Sequence, residues 1–284
     1  MKRSSFILAL VALSIFAACS KKIDLDLPDY NSKLVINGEF DTDKDIAVTV
    51  SRSLPIMKIT DSTGYLIMNA TVKVLENGAS IGNATYFSGQ YVLAQKPVAG
   101  RKYSVEVTSG TYPKAVANLE MPKSLSTVSS YKDSVGLDAD GFKVGQITLT
   151  FADDNNVKNY YKLLIRWYNA STLQWYPLNI VSNDIIFLNN DKLSDGSYAF
   201  SDRTFNGRTK TLTFQTTSSM GRGTPKFEIS VKTFNDEYYQ YLLQTDDYSQ
   251  SGNAIGVEPV IIRSNVTNGL GMVGGISNAK DTIF

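Results

Sequence analysis

Hydrophobic positions along the chain fall into short runs with a period of two, broken by Gly, Asn, Pro and Asp, which predicts strands rather than helices. Leu34-Val35-Ile36 and Ile46-Ala47-Val48-Thr49-Val50 come first. Ala70-Thr71-Val72-Lys73-Val74-Leu75 alternates apolar with polar residues, and Glu76-Asn77-Gly78 supplies the turn after it. Gly89-Gln90-Tyr91-Val92-Leu93 and Gly100 to Val107 continue the pattern. Past a Ser-rich, Pro-containing stretch from Met121 to Ser130, period two resumes in 145–151, 160–167, 175–181, 184–188, 210–215 and 226–233. One run departs from it: Asn235-Asp236-Glu237 followed by Tyr238-Tyr239-Gln240-Tyr241-Leu242-Leu243 has a capping residue, early acids and apolar groups at helical spacing. The glycine-rich tail after Pro259-Val260-Ile261-Ile262 returns to strand. No internal repeat has a fixed period. The expectation is an all-β protein in which an N-terminal immunoglobulin-like or transthyretin-like sandwich (33–121), a linker (122–131) and a second sandwich-type domain (132–284) follow one another. The second domain carries a short helix near 236–244.

The first nineteen residues have a different pattern. Lys2 and Arg3 precede a nearly unbroken apolar run from Phe6 to Phe16, and Ala17-Ala18 stand directly before Cys19, the single cysteine of the chain. A charged head, an apolar stretch too short for a stable span and small residues before a cysteine read as a secretory signal at 1–18. Cys19 is then the acylated first residue of a lipoprotein, with 19–32 as a tether. Lipidation consumes the thiol, so the mature fold would have no disulfide and would rest on its core. Multiple acyl chains give stable anchoring. No later apolar segment approaches the roughly 20 residues of a spanning helix, so the membrane contact is expected to run through Cys19 alone.

Charge and composition then remove whole classes of chemistry. Cleavage before Cys19 takes two of 28 basic side chains and none of 27 acidic ones, and a near-neutral balance gives no footprint for nucleic acid. The chain has no histidine. That excludes a Ser-His-Asp or Cys-His arrangement and, with Cys19 acylated, leaves neither imidazole nor thiolate for zinc or copper. No phosphate-cradling loop motif is present. No cofactor and no metal is therefore expected. Asp41-Thr42-Asp43-Lys44-Asp45 has the alternate acids of a calcium loop, but Ile46 and Arg52 stand where that loop needs Gly and Glu, and a solvated hairpin turn reads better. Asp153-Asp154 reads as a turn after Phe151 rather than a paired acid–base site, because neighbouring strand residues face opposite ways. Asp138-Ala139-Asp140-Gly141 reads as a turn.

Aromatic crowding supplies the candidate site. Tyr160, Tyr161, Trp167, Tyr168, Trp175 and Tyr176 fall within seventeen positions. Flat rings with polar edges serve as platforms for sugars or peptides, and they also fill sandwich cores. Tyr160, Trp167, Tyr168, Trp175 and Tyr176 are the candidate contacts for a glycan or peptide ligand or a partner. Gly269-Leu270-Gly271-Met272-Val273-Gly274-Gly275 reads either as a flexible contact loop or as close backbone approach at a sheet edge. Asp61-Ser62-Thr63, Asp133-Ser134-Val135 and Asp281-Thr282-Ile283 match a short acidic-hydroxyl-apolar O-glycosylation pattern.

The segments Lys22-Ile23-Asp24-Leu25-Asp26-Leu27-Pro28, Leu34-Val35-Ile36-Asn37-Gly38, Asn69-Ala70-Thr71-Val72 and Gly89-Gln90-Tyr91 resemble the front half of a Bacteroidota lipoprotein family known as domain of unknown function 4249. Glu237-Tyr238-Tyr239-Gln240-Tyr241-Leu242, Glu258-Pro259-Val260 and Ser264-Asn265-Val266-Thr267-Asn268-Gly269-Leu270-Gly271 resemble its back half. Asn268 stands where the family usually has glycine, and Met272-Val273 where Ile-Phe is common. The resemblance implies an outer-membrane lipoprotein without an established activity, often associated with nutrient uptake. The expected role is a non-enzymatic binding or accessory subunit of a TonB-dependent transporter-type uptake system or another envelope assembly. A carboxylate-based hydrolase such as a glycosidase, or a structural or adhesive surface protein, is the alternative. Ser20-Lys21-Lys22 behind the cysteine leave the choice of cell surface or periplasmic face open.

Overall fold

The computed structural model describes residues 31–55, 64–141, 143–155, 157–178, 180–187, 192–216, 226–251 and 262–283. Cys19, the tether up to residue 30 and the Asp61-Ser62-Thr63 motif lie outside them. Residues 32–284 form one unit.

Among the described residues there are sixteen strands, most of them where the period-two pattern placed them. In chain order they are β1 (Leu34–Asp41), β2 (Ile46–Arg52), β3 (Thr71–Glu76), β4 (Ala79–Phe87), β5 (Gln90–Leu93), β6 (Lys102–Thr108), β7 (Ala115–Glu120) and β8 (Thr127–Leu137). Then come β9 (Lys143–Ala152), β10 (Tyr160–Asn169), β11 (Gln174–Pro177), β12 (Tyr198–Ser201), β13 (Thr209–Thr216), β14 (Phe227–Phe234), β15 (Val266–Thr267) and β16 (Val273–Ile283). A helix, α1 (Asp236–Ser251), separates β14 from β15. The fold is all-β with this single α-helix among the described residues. Asn77 and Gly78, both at positive φ, make the β3–β4 hairpin that the sequence signalled.

One long sheet runs β11-β10-β14-β16-β1-β2-β5-β4 and backs two cores. Over its β1-β2-β5-β4 end, β4-β3-β6-β7-β15 pack to enclose Leu34, Ile36, Phe40, Val48, Val72, Tyr103, Val105 and Met121. Over its β11-β10-β14 end the three-stranded sheet β13-β9-β8 encloses Ile147, Leu149, Phe151, Tyr161, Leu163, Phe214, Phe227 and Ile229. The segment 122–131 carries the first five residues of β8, so the chain passes between the two cores as a strand.

Strand β16 joins the halves. It pairs parallel with β1 (Gly38 opposite Val273, Phe40 opposite Gly275) and antiparallel with β14 (Ile276 opposite Phe234, Ile283 opposite Phe227). Val273 belongs to the first core, Ile283 packs against the second, and Ile276 joins a third cluster under α1 with Tyr160, Phe234, Tyr238, Tyr239 and Met272. Three asparagines lock the approach. Asn37 Oδ1 accepts from Met272 N (3.0 Å), Asn235 Oδ1 from Gly275 N (3.2 Å) and Asn265 Oδ1 from Val273 N (3.0 Å). Of the two readings of the glycine-rich segment, the structure has close backbone approach. A Cβ on Gly274 would overlap the Tyr238 ring, one on Gly271 (φ +108°) would overlap the Ile36 carbonyl, and one on Gly275 would lie 3.1 Å from Met121 Sδ.

Five local expectations change. Residues 184–188 were expected as strand, but Ile185–Phe187 form a 3₁₀ turn, because the Asp184 side chain accepts from Ile186 N (3.1 Å) and its carbonyl from Phe187 N (3.0 Å). The strand expected over 175–181 ends at Pro177. The helix extends well past residue 244. Thr245 Oγ1 donates to the Tyr241 and Leu242 carbonyls and Ser249 Oγ to Asp246 O, so polar residues sustain the turns after the apolar stripe ends. Asn235, expected as the cap, spends its side chain on β16 instead. The Asp41–Asp45 turn is only partly solvated: Asp41 is 2 % exposed and accepts from Asp43 N (3.0 Å).

Gly274→Ala is expected to lower unfolding stability by about 1–3 kcal/mol or more through overpacking against Tyr238. Gly136→Ala, where a Cβ meets nothing within 4 Å, should change it by less than about 0.5 kcal/mol. Denaturant titration of both variants checks this.

Candidate functional site

Strand alternation divides the aromatic cluster between two faces. Odd positions of β10 point into the second core. Tyr161 is fully buried there and Trp167 packs at its margin, opposite Tyr176 on β11 with ring centroids 5.8 Å apart. Even positions point to the outer face. Tyr160, at one end, stacks on Tyr239 of α1 (4.6 Å) and is buried. Tyr168, at the other end, faces Trp175 across the β10–β11 hairpin at 5.2 Å, and Lys226 Nζ lies 5.9 Å from its ring centre. The structure therefore places Tyr160 in the packing under α1 and Trp167 and Tyr176 at the core margin. Tyr168 and Trp175 form a half-buried pair on the open face of the sheet.

Beyond that pair the same face is built of charge. Cross-strand register sets Tyr168 beside Lys226, then Arg166–Glu228–Thr282, then Leu164–Ser230–Lys280, then Lys162–Lys232–Asn278. Glu228 is 6 % exposed and receives both Arg166 and Lys280. Burial works to raise its carboxyl, but the hydrogen bonds and charges of Lys280 and Arg166 outweigh burial and hold it below the ordinary value of 4.5. Lys232 lies 3.6 Å from Asp41, and Lys162 2.7 Å from Asp195. These charged residues were not read from the sequence. Their signal was the placement of Lys162 and Arg166, and of Lys226, Glu228 and Lys232, at even spacing within strands.

On the other side of α1 the outer face holds a cleft of about 440 Å³ between β1, β2 and the helix. Glu39, Asp45, Thr49, Gln90, Tyr238 and Tyr241 line it. Tyr238 donates its hydroxyl to Glu39 while its ring covers Gly274. Burial, then the Glu39 charge, pushes the Tyr238 hydroxyl far above the normal phenol range. Burial and Glu39 raise Tyr241 as well.

The acids singled out in the sequence do not form a shared site. Asp153 accepts from the Tyr161 hydroxyl and from Gly207 N (2.7 Å), whereas Asp154 pairs with Lys123 (2.5 Å). Burial, with the Asp153 charge nearby, raises Asp202 although Asn159 N donates to it. Among the described residues, no group of three or more Cys, Asp or Glu is placed to hold a metal ion. No helix among them is long and apolar enough to cross a membrane. Asp133-Ser134-Val135 lies on exposed β8, and Asp281 is tied to Ser129 N (3.1 Å).

Comparison with known proteins gives one extended match. The family described as Domain of unknown function (DUF4249) matches residues 20–282. No curated protein matches the sequence. Among solved structures, a Salmonella alpha-2-macroglobulin is similar over 94% of this chain and 16% of its own, at 9% identity and a TM-score of 0.24. A putative membrane anchored protein from Corynebacterium diphtheriae is similar over 73% of this chain and 55% of its own, at 9% identity and a TM-score of 0.20. An Escherichia coli alpha-2-macroglobulin is similar over 72% and 18%, at 11% identity and a TM-score of 0.21.

Because the folded Glu228 carboxyl lies below its unfolded value, its contribution to stability is complete above about pH 4.5 and is lost as pH falls through the lower folded value. Unfolding midpoints of wild type and Glu228→Gln should therefore differ most near neutrality and converge in acid.

Proposed function

The chain belongs to the family described as Domain of unknown function (DUF4249), and from that membership we propose that it is a non-enzymatic binding or accessory subunit of an envelope assembly. It is held at the outer membrane by acylated Cys19, and its partner is a nutrient-uptake barrel of the TonB-dependent type. The observation that carries the binding role is the Tyr168–Trp175 pair, two large half-buried rings on the outer face at the end of a rigid sheet. Rings with an apolar face and a polar edge favour partly wet ligands. A chain without histidine, whose adjacent acids Asp153 and Asp154 are each committed to separate partners, supports a role that involves no bond breaking.

One observation favours a hydrolase as the second reading: Glu39 and Asp45 line the same cleft beside Tyr238 and Tyr241. Paired carboxylates across a cleft are what glycoside hydrolysis uses.

Two experiments test these readings. Tagged full-length protein extracted from native membranes should co-purify with an outer-membrane transporter barrel, and Cys19→Ala should move the protein to the soluble fraction. Recovery without a barrel overturns the accessory role, and continued membrane retention overturns the anchor. If the cleft is hydrolytic, the protein should release reducing ends from a polysaccharide panel and Asp45→Asn should abolish the release. No release by the wild-type protein eliminates the hydrolase.

A further inference from the structure

We propose that the outer face of β10, β14 and β16 binds an acidic polysaccharide, with Tyr168 and Trp175 stacking on sugar rings and a ladder of cations meeting the anionic groups. The inference rests on the binding role above and names its ligand class.

Four successive cross-strand rows each present at least one cation: Lys226, then Arg166, then Lys280, then Lys162 with Lys232. Strand rise sets alternate residues roughly 6.5–7 Å apart, so the rows extend over about 20 Å. Within the ladder Glu228 is the one acid among the described residues, and it is the buried anchor shared by Arg166 and Lys280 rather than a competing surface charge. Asp41 and Asp195 hold the Lys232 and Lys162 ends. Five cations stand against two buried acids, Glu228 and Asp41, and two rim acids, Asp195 and Asp43, the latter accepting from Asn278 Nδ2 (2.6 Å), so the face keeps an excess of one positive charge.

The arrangement selects a polymer with spaced anions. A small anion would be served by one convergent pocket, whereas these cations are spread along the strands. A guanidinium fork suits carboxylate or sulfate oxygens, and ammonium groups add point charge. The ring pair sits at the first row, beside Lys226, where a sugar lying on the rings would bring its acidic substituent within reach of a cation. Neither rings alone nor cations alone would favour a charged sugar over a neutral one or over an acidic peptide.

The test uses full-length protein in detergent with polygalacturonate as probe. Methyl-esterified polygalacturonate, polyglutamate and anionic phosphatidylglycerol vesicles serve as comparisons. Polygalacturonate should bind and weaken roughly tenfold or more between about 0.05 and 0.5 M salt. The esterified polymer should bind at least about tenfold more weakly, because it keeps the rings' contacts and loses the charges. Lys226→Gln, checked for an unchanged unfolding midpoint, should weaken polygalacturonate binding and leave the esterified polymer unaffected, and Trp175→Ala should weaken both polymers. Equal binding of the esterified polymer overturns the acidic selectivity while leaving a sugar-binding role intact. Equal or tighter binding of polyglutamate or vesicles overturns the polysaccharide. Failure of all four probes overturns this inference alone, since barrel co-purification decides the accessory role separately.

Discussion

The seating of β16 between the two halves is the constraint on which the rest of the structure depends. One strand must complete the first core, complete the second and lie under a helix, and it does so within eleven residues. Alternation makes this feasible: odd positions face the cores, whereas Gly274 and Ile276 face α1 and Asn278, Lys280 and Thr282 the open face. Two adjacent glycines are the steric condition, because Tyr238 presses on one side of the strand and Met121 with Pro122 on the other. Backbone polarity is settled by Asn37, Asn235 and Asn265, which take up amide hydrogens that the sheet leaves over.

Because β16 makes a single sheet out of two, the outer surface is continuous, and α1 divides it. To one side lies a cleft with acids and tyrosines, to the other a flat face with cations and a ring pair. A rigid sheet suits both, since side chains on paired strands hold their spacing better than side chains on loops. The buried carboxylate of Glu228 anchors the more exposed Arg166 and Lys280 and fixes the cationic side in the same manner.

Much of this order was legible along the chain. Period two located most of the strands, and the Asn77-Gly78 and Asp138–Gly141 turns sit where their residues indicated. What escaped was set by distance or competition. Asp184 turned a strand-like run into a 3₁₀ turn through its own side chain. The helix outran its apolar stripe, and in its later turns Thr245 and Ser249 fold their hydroxyls back onto the helix's own carbonyls, a polar pattern that gives no amphipathic signal. In the aromatic cluster, composition marked the right hairpin, yet only register separates Tyr168 and Trp175 from the buried Tyr160 and from the core-margin pair Trp167 and Tyr176. The cation ladder draws on β10, β14 and β16, and residues from 162 to 280 share no local signal. Segments that carry the family resemblance, around Asn37, Tyr238 and Asn265, meet at the start of β16, although nothing in any one of them points to the others.

The link between Asn37 and Met272 spans 235 residues of chain. Loop closure over such a length is slow, and contacts far apart in sequence delay folding. The first sandwich is not completed by residues 33–121 alone, because its β1 edge pairs with β16. The two halves are therefore not separate folding units in sequence order: β1 stays an open edge until β16 lies beside it.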